Sequence, residues 1–188
     1  KDRCVWDPSK NPSVEQKAWE NASWFHYVSY YGHPAAIEAL FSAHPELLSL
    51  EDASGLKPIH ACLLPRTYVP GMKSDPSWLP SLEAFWRSGS RWNETTVRGG
   101  TLFHVIALAV QHEVQPVDLG DTLLTLVQRC PGMLLQANEE GETGLEALGK
   151  QPYVVANPEF AALLRQRHLE STWLLLAEPT PGRARSRL

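Results

Sequence analysis

Three tetrapeptides that end in histidine decide the fold predicted for this chain: Ser23-Trp24-Phe25-His26, Lys57-Pro58-Ile59-His60 and Thr101-Leu102-Phe103-His104. A fourth segment, Thr143-Gly144-Leu145-Glu146, keeps the pattern but ends in glutamate. The final residues of these segments are separated by 34, 44 and 42 positions. A motif that returns at such intervals indicates a repeat protein, and the two longer intervals leave room for loop insertions.

Each tetrapeptide begins a predicted helix that is followed by a second one. Apolar residues spaced by three and four positions, with Pro or Ser near the start and Gly near the end, mark these helices. Turn signals rich in Asp, Asn, Ser and Gly separate the pairs, as in Asp52-Ala53-Ser54-Gly55. Residues 65–80 contain four prolines and are predicted to form an inserted loop. The predicted helices span residues 24–31, 34–43, 59–64, 81–87, 102–111, 121–130, 145–150 and 158–168.

The tetrapeptides and their spacing resemble the ankyrin repeat, whose signature is Thr-Pro-Leu-His-x-Ala in a period of 33 residues. The resemblance implies an all-α solenoid of about four helix-turn-helix repeats, with the inserted loop in the second. It also implies that the histidine is structural and hydrogen-bonds the backbone near the turns. The predicted organisation is a lead-in (1–13), an ankyrin-repeat domain (14–177, with repeats near 18–51, 52–95, 96–137 and 138–168) and a flexible tail (178–188).

A metal site built from His26, His60 and His104 is the alternative reading of the same residues. Equivalent positions of stacked repeats lie about one repeat apart, whereas metal–nitrogen bonds are only about 2.0–2.1 Å long. We therefore expect no metal site and no cofactor. The chain also lacks a Gly-rich phosphate loop, a His-Glu-x-x-His helix and a nucleophile elbow, so we expect no enzyme activity in it.

Composition narrows the class of partner. The 188 residues are 43% hydrophobic and carry a net charge of −4, which is ordinary for a globular domain and argues against nucleic acid or an anionic membrane as the partner. No apolar run reaches the roughly 20 residues that a membrane span needs. Three cysteines without close spacing predict reduced thiols rather than disulfides or zinc ligands.

The resemblance implies a protein partner, bound at the turn tips and at the exposed surface of the inner helices, and no small-molecule substrate. The aromatic residues of the first repeat are of the types enriched at interface hot spots. The inserted loop is a second candidate surface, because insertions in repeat proteins often form the binding face. The alternative is that Trp78 and Leu79 fill the groove where the second outer helix starts. The predicted partner-binding residues are Trp19, Glu20, Tyr30 and Tyr31 in the first repeat, Ser54, Leu56, Tyr68, Met72 and Trp78 in the second, Arg98 in the third, and Glu139, Glu140 and Glu142 in the fourth.

Two further interpretations of the function remain open. The irregular repeats and seven tryptophans are similar to the ankyrin domains of bacterial type III effectors, among them the caspase-directed ADP-riboxanases. That similarity implies that the chain is the target-recruiting part of a larger virulence protein, that its partner is a host caspase, and that it acts inside the host cell after secretion by a bacterium. The alternative is a structural cap or self-association domain that uses the aromatic residues of the first repeat and has no foreign partner.

Overall fold

The computed structural model shows an all-α protein, as the sequence predicts. No strand occurs in the described part of the chain, where an isolated antiparallel bridge joins Ala137 to Thr143. The predicted lead-in, the tail and most of the inserted loop lie outside the described residues. The described residues are 24–31, 33–52, 54–64, 77–110 and 117–151, with the single positions 152, 154, 158, 161, 162, 165 and 166.

The helices follow the predicted pairs. The first two have the predicted bounds, and the last predicted helix is described only at five positions, which are helical. The helices are α1 (Trp24–Tyr31), α2 (Pro34–Ala43), α3 (Pro58–Ala61), α4 (Leu79–Arg87), α5 (Leu102–Val110), α6 (Leu119–Arg129), α7 (Pro131–Leu134) and α8 (Gly144–Gly149), with a 3-10 helix at Pro45–Ser49.

These helices pack in two layers. The layer next to the turns contains α1, α3, α5 and α8, in which α1 contacts α3 and α5 contacts α8. The outer layer contains α2, α4 and α6, in which α4 contacts both α2 and α6. The helices of the outer layer pack against each other through apolar side chains. Phe41 of α2 and Phe85 of α4 are both fully buried, with ring centroids 5.0 Å apart. Together the two layers bury one continuous apolar core.

Helix α4 begins two residues before the predicted start. The Asp118 carboxylate accepts hydrogen bonds from the backbone N–H of Trp78 (2.9 Å) and of Leu79 (2.7 Å), which satisfies two donors at the start of the helix. Pro80 in the first turn needs no such partner. A negative charge at a helix N-terminus is also favoured by the helix dipole. The following helix pair thus fixes where α4 starts, and the predicted loop ends at Trp78 instead of Pro80.

Other helix ends also differ from the prediction. Helix α6 begins at Leu119 rather than at 121, α5 is described only to Val110, and α3 ends at Ala61, after which the chain continues in tighter turns to Leu64. Two short helical segments were not predicted, Pro45–Ser49 and Pro131–Leu134. Both begin with a proline directly after an outer helix, where the fixed φ of proline suits a new first turn.

Candidate functional site

Three turns of the same conformation form the edge of the molecule in front of α3, α5 and α8. In each, the first residue (Asp52, Thr96 or Asn138) donates its N–H to a carbonyl four residues on, and its side-chain oxygen accepts an N–H in return. The glycine three residues after the first has a positive φ, between 71° and 79°. Only glycine adopts that conformation without strain, so the turns are set by sequence. Adjacent turns are joined by Val97 N–H to Gly55 O and by Glu139 N–H to Arg98 O, both 3.1 Å.

The three histidines connect each unit to the turn that follows it. His26 Nε2 donates to Leu56 O (3.0 Å) and His104 Nε2 to Glu142 O (2.8 Å), at equivalent positions of the two turns. His60 Nε2 donates to Glu94 O at 3.4 Å, six residues earlier in its turn segment than the equivalent Gly100. The predicted contact between histidine and turn backbone is therefore confirmed, and the second junction is irregular.

His60 is held as a neutral ring by its hydrogen bonds and its burial. His60 Nδ1 accepts the N–H of Lys57, so its Nε2 carries the hydrogen that it donates, and protonation of Nδ1 would break the first of these bonds. Burial lowers the pKa of His60 to about 4, and Lys57 adds to this effect. Burial also lowers the pKa of His26. No group of three or more His, Cys, Asp or Glu side chains placed to hold a metal ion is found among the described residues.

Glu146 occupies the histidine position in the last unit, and like His60 it accepts the N–H of the residue three positions before it. Its carboxylate accepts the N–H and the hydroxyl of Thr143 (2.8 and 2.9 Å), while Thr143 Oγ1 accepts the N–H of Glu146. This is a reciprocal capping box at the start of α8. The replacement of histidine by glutamate therefore keeps the cap at the start of the helix.

A cleft of about 770 Å³ lies between the turns and helix α5. Its apolar surface comes from Leu56, Leu64, Val105 and Leu108, and Leu108 is 53% exposed. Its rim is polar and carries one cation and two carboxylates. The lining residues are Ser54, Leu56, Leu64, Thr96, Arg98, Gly100, His104, Val105, Leu108, Asn138, Glu139 and Glu140.

Five of the predicted partner-binding residues line this cleft: Ser54, Leu56, Arg98, Glu139 and Glu140. Glu142 lies beside it and is bound to Lys150 (2.6 Å). That ion pair raises the pKa of Lys150. Residues far apart in sequence are thus brought together because the three turns stack.

Two predicted surface residues are buried. Tyr30 is 5% exposed because it lies four residues after the buried His26, on the core side of α1, and Trp78 is 3% exposed because it packs into the core at the start of α4. The predicted surface position of Tyr30 is therefore wrong, and Trp78 follows the alternative in which it fills the groove at the start of the second outer helix. Tyr31 is exposed on the opposite side of α1, together with Trp24 and Tyr27. The predicted residues Trp19, Glu20, Tyr68 and Met72 lie outside the described residues.

Sequence reasoning missed Leu108. Helix α5 is apolar on nearly every side, so its pattern predicts a fully buried helix and gives no reason to select one leucine. The available signal was positional: Leu108 lies four residues after His104, so the two share a helix face, and His104 already faces the turns.

No helix in the described part of the chain has the length and apolarity to cross a membrane. Comparison with known proteins gives no family: neither a family model nor a curated protein sequence matches this chain.

Proposed function

We propose that this chain is a protein-recognition module of the ankyrin-repeat type, with about four repeats, which binds a protein partner in the cleft between the turn tips and α5. The observation that carries the proposal is the cleft itself, where a half-exposed leucine is surrounded by polar residues from three stacked turns. An apolar centre within a polar rim is the usual organisation of a protein–protein interface.

Support for the repeat type comes from the periodic bonds. The turns repeat the same backbone conformation, and in two of the three junctions histidine donates to the same position of the next turn. In repeat proteins each unit contacts its neighbours and the stack presents an extended binding surface. The narrower interpretation, an effector domain that recruits a host caspase, remains a prediction from the sequence.

The test uses the whole chain immobilised as bait in a eukaryotic cell lysate, beside Leu108→Asp and Leu124→Asp. Leu124 is also partly exposed, but it lies on the outer helix α6 and does not line the cleft. We expect a protein that is retained by the native chain and by Leu124→Asp and is lost from Leu108→Asp. The retained protein is then purified and titrated against all three forms, whose folding is checked by circular dichroism. Equal retention by all forms, or none by the native chain, would contradict the proposal.

Self-association is a second candidate function, favoured by one observation. Trp24, Tyr27 and Tyr31 are exposed on one side of α1, and Trp24 is 61% exposed. Exposed aromatic clusters of this kind mark interaction sites. A mass that rises with concentration in sedimentation equilibrium, and that stays monomeric in Trp24→Ser/Tyr31→Ser, would support this alternative. A constant monomer mass in the native chain would exclude it.

A further inference from the structure

The charges at the cleft differ from those around it. Lys57 is bound to Glu94 (2.5 Å) and Lys150 to Glu142 (2.6 Å), so these charges next to the turns are paired within the chain. Arg98, Glu139 and Glu140, which line the cleft, have no ion-pair partner among the residues described. A ligand could therefore meet these three charged groups without breaking an ion pair, although Glu140 is close enough to Lys150 to help raise its pKa.

Backbone groups at the turn tips already form hydrogen bonds within the chain. Val97 N–H binds Gly55 O and Glu139 N–H binds Arg98 O, which joins each tip to the next. Within two of the three turns, a side-chain oxygen, of Asp52 or of Asn138, also accepts two N–H groups. A ligand in the cleft consequently meets side chains rather than a free strand edge. Its recognition depends on apolar contact and charge.

The apolar contact is defined by Leu108. It projects from the turn side of α5 one helical turn after Val105, which is nearly buried, and Leu64 borders the same space. Covering a half-exposed leucine with another apolar side chain is favourable, because apolar area is removed from water. The acidic pair Glu139–Glu140 lies at the rim of the same cleft.

We propose that the cleft binds a segment of a partner protein that carries an apolar side chain against Leu108 and, within a few residues of it, a Lys or Arg between the carboxylates of Glu139 and Glu140. This inference rests on the proposed function and adds the chemistry of the partner. Arg98 on the neighbouring turn repels a second cation, so a uniformly basic segment is disfavoured and a carboxylate opposite Arg98 is favoured. Nucleic acid is disfavoured by the two carboxylates at the rim.

The experiment selects random twelve-residue peptides from a display library on the whole immobilised chain. We expect enriched peptides to combine a large apolar residue with a nearby Lys or Arg. Selection on Glu139→Lys/Glu140→Lys is expected to keep the apolar residue and replace the basic one by Asp or Glu. Glu46→Lys, an exposed carboxylate outside the cleft, is the matched control and is expected to select the native pattern.

Affinity gives the second readout. A synthetic peptide from the native selection is expected to bind Leu108→Ala about tenfold more weakly, the size expected for a lost apolar contact, and Leu124→Ala unchanged. Peptides without a basic preference, a preference unchanged by the charge reversal, or no enrichment above background would overturn the inference. If the lysate protein is nevertheless lost from Leu108→Asp, the proposed function stands and only this partner chemistry fails. If Leu108→Asp captures the lysate protein as well as the native chain does, both the proposed function and the proposed partner chemistry fail.

Discussion

The outer helices and the cleft differ in how they use charged side chains. On the outer helices, Arg87 lies 3.0 Å from Glu38 of α2 and 3.8 Å from Glu83 of its own helix. In the cleft, Arg98 has no ion-pair partner within the part of the chain that the structure describes, although Glu139 and Glu140 line the same space. The charged side chains of the outer helices are thus paired with one another, whereas those that line the cleft form no ion pair within the described residues.

The largest effect is expected in the outer layer. Phe85→Ala removes a fully buried ring that contacts Phe41 across α2 and α4. It should lower the free energy of unfolding by about 3–5 kcal/mol, because it leaves a cavity in the core. Urea denaturation measures this loss, with Leu124→Ala as a partly exposed control. A loss below about 1 kcal/mol would contradict the assignment of the core to this layer.

A junction histidine should affect stability in a pH-dependent way. Between pH 6.5 and about 4 the unfolded chain binds a proton that folded His60 does not, because burial lowers the pKa of His60. The free energy of unfolding therefore falls as the pH falls through this window, by at most about 1.4 kcal/mol per pH unit for one such group. Burial of His26 acts in the same direction.

His60→Gln tests this histidine directly. We expect it to cost about 1–3 kcal/mol at pH 7.5, since hydrogen bonds of a buried side chain are lost. We also expect the decrease of stability between pH 6.5 and 4 to be smaller than in the native chain. Urea denaturation at several pH values gives both quantities, and equal pH dependence in the two chains would contradict the neutral, buried state of His60.

The bond from Asp118 to α4 should have a moderate effect. Asp118→Ala removes the acceptor for the N–H groups of Trp78 and Leu79 and should cost about 1–2 kcal/mol. Asp121→Ala is the matched control, because that carboxylate is exposed in the first turn of α6. Thermal unfolding of both variants measures the difference, and equal melting temperatures would show that Asp118 does not cap α4.

The smallest effects on stability are expected for Arg87→Ala on the outer helices and Arg98→Ala in the cleft, and they compare the two regions directly. Arg87→Ala should lower stability by less than about 1 kcal/mol, since exposed ion pairs contribute little. Arg98→Ala should leave stability within about 0.5 kcal/mol and change the affinity for the captured protein or the selected peptide. Parallel denaturation and titration of the two variants measure this. An Arg98→Ala chain that loses stability as Arg87→Ala does would remove the distinction between the two sides.

Much of the helical architecture could be predicted because each helix is marked by residues within or next to it in the sequence. The bounds of α1 and α2 agree with the prediction, since proline, apolar spacing and a following polar residue or glycine lie within one helix length. The turns were also foreseen from their Asp, Asn and Gly residues. By contrast, α4 begins at Leu79 because of a carboxylate 39 residues away in sequence, and no local pattern reports such a contact.

The cleft could be predicted in part for the same reason. Turn-tip residues such as Arg98 and Glu139 follow from the repeat register, and the stacking of the turns brings them together. Leu108 was missed because every position of an apolar helix looks equally buried in the sequence, and only its place four residues after His104 distinguishes it. Tyr30 and Trp78 look like surface aromatics until the helix rotation and the start of α4 are known.

Hydrogen exchange of the whole chain, with and without the captured protein, shows where on the molecule the partner binds. Binding in the cleft should slow exchange at the three turn tips (residues 54–56, 96–100 and 138–141) and in α5, with no change in α2 or α4. Protection confined to α1, beside the exposed Trp24, Tyr27 and Tyr31, or to the outer helices would contradict it, because the partner would then bind outside the cleft.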